Sequence, residues 1–178
     1  MPRYVAFLRA INVGGHTVKM DRLRKLFEEM GFAEVETFIA SGNVIFLADE
    51  TDADALEAKI ERELEGALGY AVGTFLRTPQ ELTAIAAYEP FPASEREPRG
   101  VYVLFLKKPP TKEGKEKLLA LGNDDEVFHA HGREAYWASF GGMGQSKITG
   151  AMLDRAVGTS TNRNVNTVRK LAAKYPPA

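Results

Sequence analysis

The sequence has 178 residues, 44% of them hydrophobic, and contains no cysteine. This length is enough to bury a core as one domain or as two small ones. Without cysteine, disulfides, thiolate metal sites and a cysteine nucleophile are excluded. No apolar run approaches the roughly 18 residues that a membrane-spanning helix needs, and the start does not look like a secretory signal. We therefore expect a cytoplasmic protein with no membrane partner.

Charge is distributed unevenly along the chain, whose formal net charge is −1. Residues 1–25 carry six Lys or Arg and one Asp, and residues 147–178 again carry six and one. Of the 23 basic and 24 acidic residues in the whole chain, 11 and 22 are left for the middle. Two basic ends can indicate an anionic partner, although acidic helices that simply face water explain the same counts.

The first half alternates strands and helices. "RYVAFLRA" has a strand pattern and is followed by the loop "INVGGHT" and an amphipathic helix. "VETFIA" and "NVIFLA" predict a hairpin around Ser41 and Gly42, and a second helix precedes the strand "AVGTFLR". A short helix comes next, with Thr78 as its N-cap and Glu81 completing a capping box. The predicted order is β-α-β-β-α-β.

The second half repeats this order after an interruption. "YEPFPASEREPRG", from Tyr88 to Gly100, has three prolines and no periodicity, which is typical of a connection between domains. The pattern restarts with the strand "VYVLFL", a helix, and a hairpin of "EVFHA" with "EAYWASF". Two further helices are predicted, while the final strand is weak or missing. We predict a first unit over residues 1–87, a connection over 88–99 and a second unit over 100–178.

The predicted fold class is α+β, with two tandem ferredoxin-like (α/β plait) units. Several strands are apolar on both alternating faces, whereas a sheet with one wet face should alternate. We therefore predict that the two antiparallel sheets pack face to face, with helices outside. Right-handed crossovers place the end of the first strand at the opposite end of its sheet from Arg77. The same rule places "LKKPP", "HGR" and the loop before "TSTNRN" at one end of the second sheet.

The loop "RAINVGGHTVK" is the first candidate site. Arg9, Asn12, Gly14, Gly15 and Lys19 surround a predicted helix start, where glycines let backbone N–H groups approach an anion. The G-x-G-x-x-G spacing of a dinucleotide site is absent. A tight turn that needs a positive φ at one of the glycines explains the same residues, and this alternative stays open. The hairpin residues expected beside this loop are Ser41 and Asn43.

The segment "TSTNRNVNTVRKL" is the second candidate site. We interpret it as a helix start capped by Thr161 or Asn162, which puts Arg163 in the first turn. A cation there opposes the helix dipole unless it meets an anion, which favours a binding role. The other side chains that could donate to a phosphate, a sugar or a base edge are Asn164, Asn166 and Thr167, although such residues are equally common in loops and caps.

The three histidines are the residues best suited to metal or acid–base chemistry in a chain without cysteine. His129 and His131 are two residues apart on a strand and so share a face. No obvious third ligand accompanies them, so we predict no metal site. His16, in the glycine loop, is the better candidate for a general acid or base.

The motifs together resemble a known family. "RAINVGG", "VETFIASGNVIF", "FLRTPQEL", "EPFP" and "TNRNVNTVRKL" are similar to the bacterial domain-of-unknown-function family numbered 1697, from Arg3 to about Leu171. The resemblance implies two tandem ferredoxin-like units and supplies no activity and no cofactor. Two positions depart from the family's usual pattern: Ala10 replaces a glycine, and Val165 stands where an aromatic residue is common.

From these residues we expect a binding protein whose polar, basic site takes a phosphate-bearing ligand, either a nucleotide or a nucleic acid. The alternative is an enzyme acting on a small phosphorylated or carboxylated substrate. In that alternative His16 is the acid or base, and Arg9 and Arg163 form the anion clamp.

Overall fold

The computed structural model describes residues 1–9, 11, 15–39, 42–92 and 96–178. The chain divides into two compact units, Met1–Leu82 with Tyr175–Ala178, and Thr83–Lys174. Each unit holds a four-stranded antiparallel sheet with helices alongside, which confirms the predicted α+β class and the tandem ferredoxin-like units. Face-to-face packing of the sheets and the unit boundaries expected from the sequence stay predictions. Within the described ranges, no helix combines the length and apolar character needed to cross a membrane.

The first unit follows the predicted order of elements. They are β1 (Arg3–Arg9), α1 (Met20–Glu29), β2 (Ala33–Thr37), β3 (Asn43–Leu47), α2 (Ala53–Leu68) and β4 (Gly73–Arg77), followed by α3 (Pro79–Ala87). The strand order is β2-β3-β1-β4, as right-handed crossovers predict. Arg9 lies opposite Gly73 and Val5 opposite Arg77, so Arg77 is at the other end of the sheet from Arg9.

The core of the first unit lies between its sheet and α1 and α2. Tyr4, Ala6 and Leu8 belong to one buried cluster whose helical members include Leu23, Phe27, Leu56, Ile60 and Leu64. Val5 and Phe7, on the other face of β1, are also fully buried. Both faces of this strand are therefore shielded from water, as its continuous apolar pattern predicts.

The start of α3 carries the predicted capping box. The backbone N–H of Glu81 donates to Thr78 Oγ1 at 3.2 Å, and the backbone N–H of Thr78 donates to Glu81 Oε1 at 3.0 Å. Two N–H groups that have no partner within the helix are thereby satisfied, which fixes where α3 begins.

The second unit repeats the topology of the first. Its elements are β5 (Gly100–Leu106), α4 (Lys112–Ala120), β6 (Glu126–His131), β7 (Glu134–Ser139), α5 (Gly150–Val157), β8 (Ser160–Asn164) and α6 (Val165–Lys174). The strand order β6-β7-β5-β8 matches that of the first sheet. Leu104, Phe128 and Trp137 form a core with Leu118 of α4 and Leu153 of α5 on one face of the sheet.

The final strand, β8, is present and pairs with β5 along its whole length, so the expectation of a weak or missing strand is wrong. It pairs antiparallel with β5, from Leu106 opposite Ser160 to Tyr102 opposite Asn164. Its sequence, "STNRN", has no apolar residue, so the alternation that marks other strands is absent. The following helix starts only at Val165, where Asn164 Oδ1 accepts a hydrogen bond from the backbone N–H of Asn166 at 2.9 Å. Asn164 therefore caps α6, and the predicted caps, Thr161 and Asn162, do not.

Candidate functional site

The first predicted site lies in the first unit, between β1 and α1. Arg9 ends β1 and is half-buried, and Gly15 has a φ of +83°, as a tight turn requires. Lys19 is the N-cap residue of α1, with an extended backbone and no side-chain cap. Asn12 and Gly14 lie outside the described residues, as does Ser41.

Tyr70 contacts two of the described residues between β1 and α1. The hydroxyl of Tyr70 donates to the backbone carbonyl of Ile11 at 2.8 Å. The ring of His16, the predicted acid or base, stacks on Tyr70 with 3.9 Å between ring centroids. Asn43 is fully buried, and its Nδ2 donates to the backbone carbonyl of Phe38 at 2.9 Å within the hairpin.

Arg163 of the second predicted site lies on β8, so its expected position in the first turn of a helix is wrong. Its side chain is buried, with Nη1 donating to Thr161 Oγ1 at 2.9 Å and to the carbonyl of Asn162 at 2.7 Å. Burial lowers the pKa of Arg163 to about 10. Because Arg163 lies on β8 and not in the first turn of α6, the argument from a first-turn cation for an anion beside it no longer applies.

The remaining residues of that motif stand at the start of α6. Asn164 caps the helix through its side chain, Asn166 is exposed and Thr167 is half-buried. The structure thus places Arg9, Gly15, Lys19 and Asn43 in the first unit and Arg163, Asn164, Asn166 and Thr167 in the second.

A cleft at one end of the second sheet was not among the predicted sites. We call it the lysine cleft. It measures about 370 Å³ and is lined by Lys107–Thr111 and Ala156–Thr159. "LKKPP" and the loop before "TSTNRN" therefore lie together, as the crossover rule predicts. The cleft could have been predicted from the sequence by combining this topology with the two adjacent lysines.

The lysine cleft combines two cationic side chains with a helix start. Lys108 is exposed and, among the described residues, makes neither a hydrogen bond nor an ion pair. Thr111 caps α4, its Oγ1 accepting from the backbone N–H of Gly114 at 3.0 Å. The C-terminal end of α5 also lines the cleft, where Gly158 adopts a φ of +80°.

A second cavity of the second unit lies near the start of β5, and we call it the aromatic pocket. It measures about 290 Å³. Its walls include the rings of Tyr88, Phe91, Tyr136 and Phe140, and its charged lining residues are Glu89, Arg96, Glu97 and Arg169. The segment interpreted from the sequence as a connection supplies one wall. The aromatic residues and prolines of that segment were the sign of a pocket in the sequence. The segment has no periodicity from which its structure could be predicted.

Tyr88 is held by the two histidines of β6. A hydrogen bond of 2.6 Å joins its hydroxyl to Nε2 of His129, and His131 stacks on its ring with centroids 4.1 Å apart. Both histidines thus lie on one face of the strand, as predicted. Burial lowers the pKa of His129, and the nearby His131 and Lys115 lower it further.

In the described part of the chain, no group of three or more His, Cys, Asp or Glu side chains could hold a metal.

The fold and these sites define a class: an α+β protein of two units, each with a four-stranded sheet in ferredoxin-like strand order. The chain belongs to the family described as "Protein of unknown function (DUF1697)", whose sequence model matches residues 1–136. It is similar to the solved structure of a conserved bacterial protein from Streptococcus pneumoniae, with 25% identity, 97% of each chain covered and a TM-score of 0.74. No curated protein matches the sequence.

Proposed function

We propose that this chain is a binding protein for a phosphate-bearing ligand, a nucleotide or a nucleic acid, and that the lysine cleft receives the phosphate. The observation that carries the proposal is the charge of the cleft: its two charged lining residues, Lys107 and Lys108, are both cations. Lysine is a compact, flexible point charge that suits phosphate.

The helix ends at the cleft do not cancel this charge. The N-terminus of α4 contributes the equivalent of about +0.5 charge and the C-terminus of α5 about −0.5. These partial charges offset each other, and the charge of Lys108, which has no hydrogen-bonding or ionic partner among the described residues, remains. A doubly charged phosphate group is therefore favoured over a neutral or cationic ligand.

The backbone of the cleft is also well prepared for a ligand. Pro109 and Pro110 lie between the lysines and the cap of α4, and each fixes its own φ near −65°. A stiff connection of this kind lowers the conformational entropy that is lost when a ligand orders the site. The exposed residue Thr159 adds a hydroxyl on the opposite wall.

The residues of the first unit remain a separate part of the proposal. Lys19 is exposed, and in the described ranges its ammonium group has no hydrogen-bonding or ionic partner. It stands where the first N–H groups of α1 lack a side-chain cap. A phosphate group is the ligand that this position would suit.

The test is a calorimetric titration with two probes, inorganic pyrophosphate and a short single-stranded oligonucleotide. The variant Lys107→Gln/Lys108→Gln is compared with the wild type and with a control, Lys25→Gln/Lys170→Gln. The control removes the same charge from two exposed positions outside the cleft. We expect the dissociation constant to rise at least tenfold in the cleft variant and to change little in the control. For the oligonucleotide, the salt dependence of binding should also become shallower.

Two results contradict the proposal. One is that the wild type binds neither probe. The other is an equal loss of affinity in both double variants, because the lysines would then act only through the overall charge.

A further inference from the structure

We infer that the aromatic pocket is a second, separate binding site, and that it takes an uncharged planar heteroaromatic ring such as a nucleobase or nucleoside. The pocket borders Val101, near the start of β5, whereas Lys107 of the lysine cleft follows the end of that strand. At about 3.3 Å per residue, the two sites are roughly 20 Å apart.

The size of the pocket suits a small ring system. Its volume of about 290 Å³ lies just below the roughly 300–1,000 Å³ range of small-molecule sites. Four aromatic side chains contribute to its walls. Aromatic walls favour a flat ligand that stacks on them.

Two of the flat surfaces are fixed before any ligand arrives. Tyr88 is held by its hydrogen bond to His129 and by the stacked ring of His131. On another wall, the guanidinium carbon of Arg96 lies 4.4 Å from the centroid of the Phe140 ring. Rigid surfaces of this kind reduce the entropy that is lost on binding.

The guanidinium of Arg96 is itself anchored. It donates to the backbone carbonyl of Asp124 at 2.7 Å and to Asp125 Oδ1 at 2.6 Å. The ion pair with Asp125 compensates the charge of this arginine. Arg96 therefore acts as part of the stacking surface rather than as an unpaired cation.

The charges around the pocket favour a neutral ligand over an ion. Its lining holds two arginines and two glutamates; because Arg96 is paired with Asp125, the groups left for a ligand are the cation of Arg169 and the two glutamates, so charges of both signs are present. The side chain of Arg169 only donates hydrogen bonds, and those of Glu89 and Glu97 only accept; within the described residues none of these three side chains has a hydrogen-bonding partner. A ring that carries both acceptors and donors can use both kinds of group, whereas a charged ring meets one of the two signs as repulsion.

Val165 supplies the means of testing this site. It is the first residue of α6 and lines the pocket together with Arg169, one turn further along. A large side chain at this position would fill the cavity without removing a charge.

The experiment is a titration of adenosine, which has no phosphate and so does not load the lysine cleft. Val165→Trp should weaken adenosine binding at least tenfold, while Lys170→Gln, at an exposed position of the same helix outside the pocket, should bind as the wild type does. Because tryptophan could disturb α6, Phe91→Ala is a second variant, and its loss of one stacking surface should weaken binding by about tenfold.

Benzoate and benzylamine, an aromatic anion and an aromatic cation, are titrated at the same ionic strength. Weaker binding of both than of adenosine supports the proposed ligand class. The inference is overturned if wild type does not bind adenosine, if folded Val165→Trp and Phe91→Ala both bind it normally, or if either charged ring binds more tightly.

Discussion

Arg163 on β8 lies directly opposite Val103 on β5, in the register of an antiparallel sheet. Val103 in turn lies opposite Tyr136 on β7. Residues directly opposite each other project to the same face of a sheet, so these three side chains share one face. The arginine that stood out in the sequence is therefore part of a sheet, and the exposed arginine of the same motif is Arg169.

Replacing Arg163 should destabilise the fold. Arg163→Ala removes the donor that serves Thr161 Oγ1 and the carbonyl of Asn162, and we expect a loss of about 1–3 kcal/mol in the free energy of unfolding. Arg155→Ala, at an exposed position of α5, should change it by less than about 0.5 kcal/mol. Urea denaturation of both variants measures the difference. Equal stabilities would show that the buried contacts of Arg163 contribute nothing.

Two glycines should respond to alanine with opposite signs. A Cβ at Gly114 of α4 would lie 2.6 Å from the backbone carbonyl oxygen of Ala156 on α5. Gly114→Ala must move one helix and should lower the free energy of unfolding by about 1–3 kcal/mol.

A Cβ at Gly66, which is exposed in α2, would meet no atom within 4 Å. Gly66→Ala should therefore stabilise the fold by roughly 0.5–1 kcal/mol.

Thermal unfolding of the two glycine variants provides the check. The melting temperature should fall for Gly114→Ala and rise for Gly66→Ala. A rise in both would mean that α4 and α5 approach less closely than the structure has them.

His129 should give the protein a pH-dependent stability. Its pKa in the folded chain is below the ordinary value of 6.5, chiefly because of burial. As pH falls below 6.5, His129 takes up a proton in the unfolded chain before it does so in the folded chain. The free energy of unfolding is therefore highest above pH 6.5 and decreases as pH falls towards the folded pKa. His129→Gln should therefore lose less stability than the wild type between neutral and mildly acidic pH. Parallel stability curves for the two proteins would exclude this role for His129.

Periodic features of the sequence predicted the fold well. Strands such as "VYVLFL" and the capping box of Thr78 and Glu81 are determined by local chemistry, so they could be found from the sequence. The polar strand β8 escaped prediction because its place is decided by pairing with β5 rather than by its own composition.

The candidate sites were harder to predict than the fold. The topology placed Lys107 and Lys108 beside the loop before β8, yet adjacent lysines alone do not reveal a cleft. The aromatic pocket draws on residues as far apart in sequence as Tyr88 and Arg169, and no spacing rule connects such distant positions. Cavities of this kind depend on how side chains pack, which a single sequence does not display.

The most direct test of the phosphate-binding proposal is to map backbone amide chemical shifts by NMR while inorganic pyrophosphate is added to the wild-type chain. We predict saturable shifts at Lys108, Lys112 and Thr159, around the lysine cleft. The absence of shifts at these three amides, or changes confined to the start of α1, would contradict the proposal.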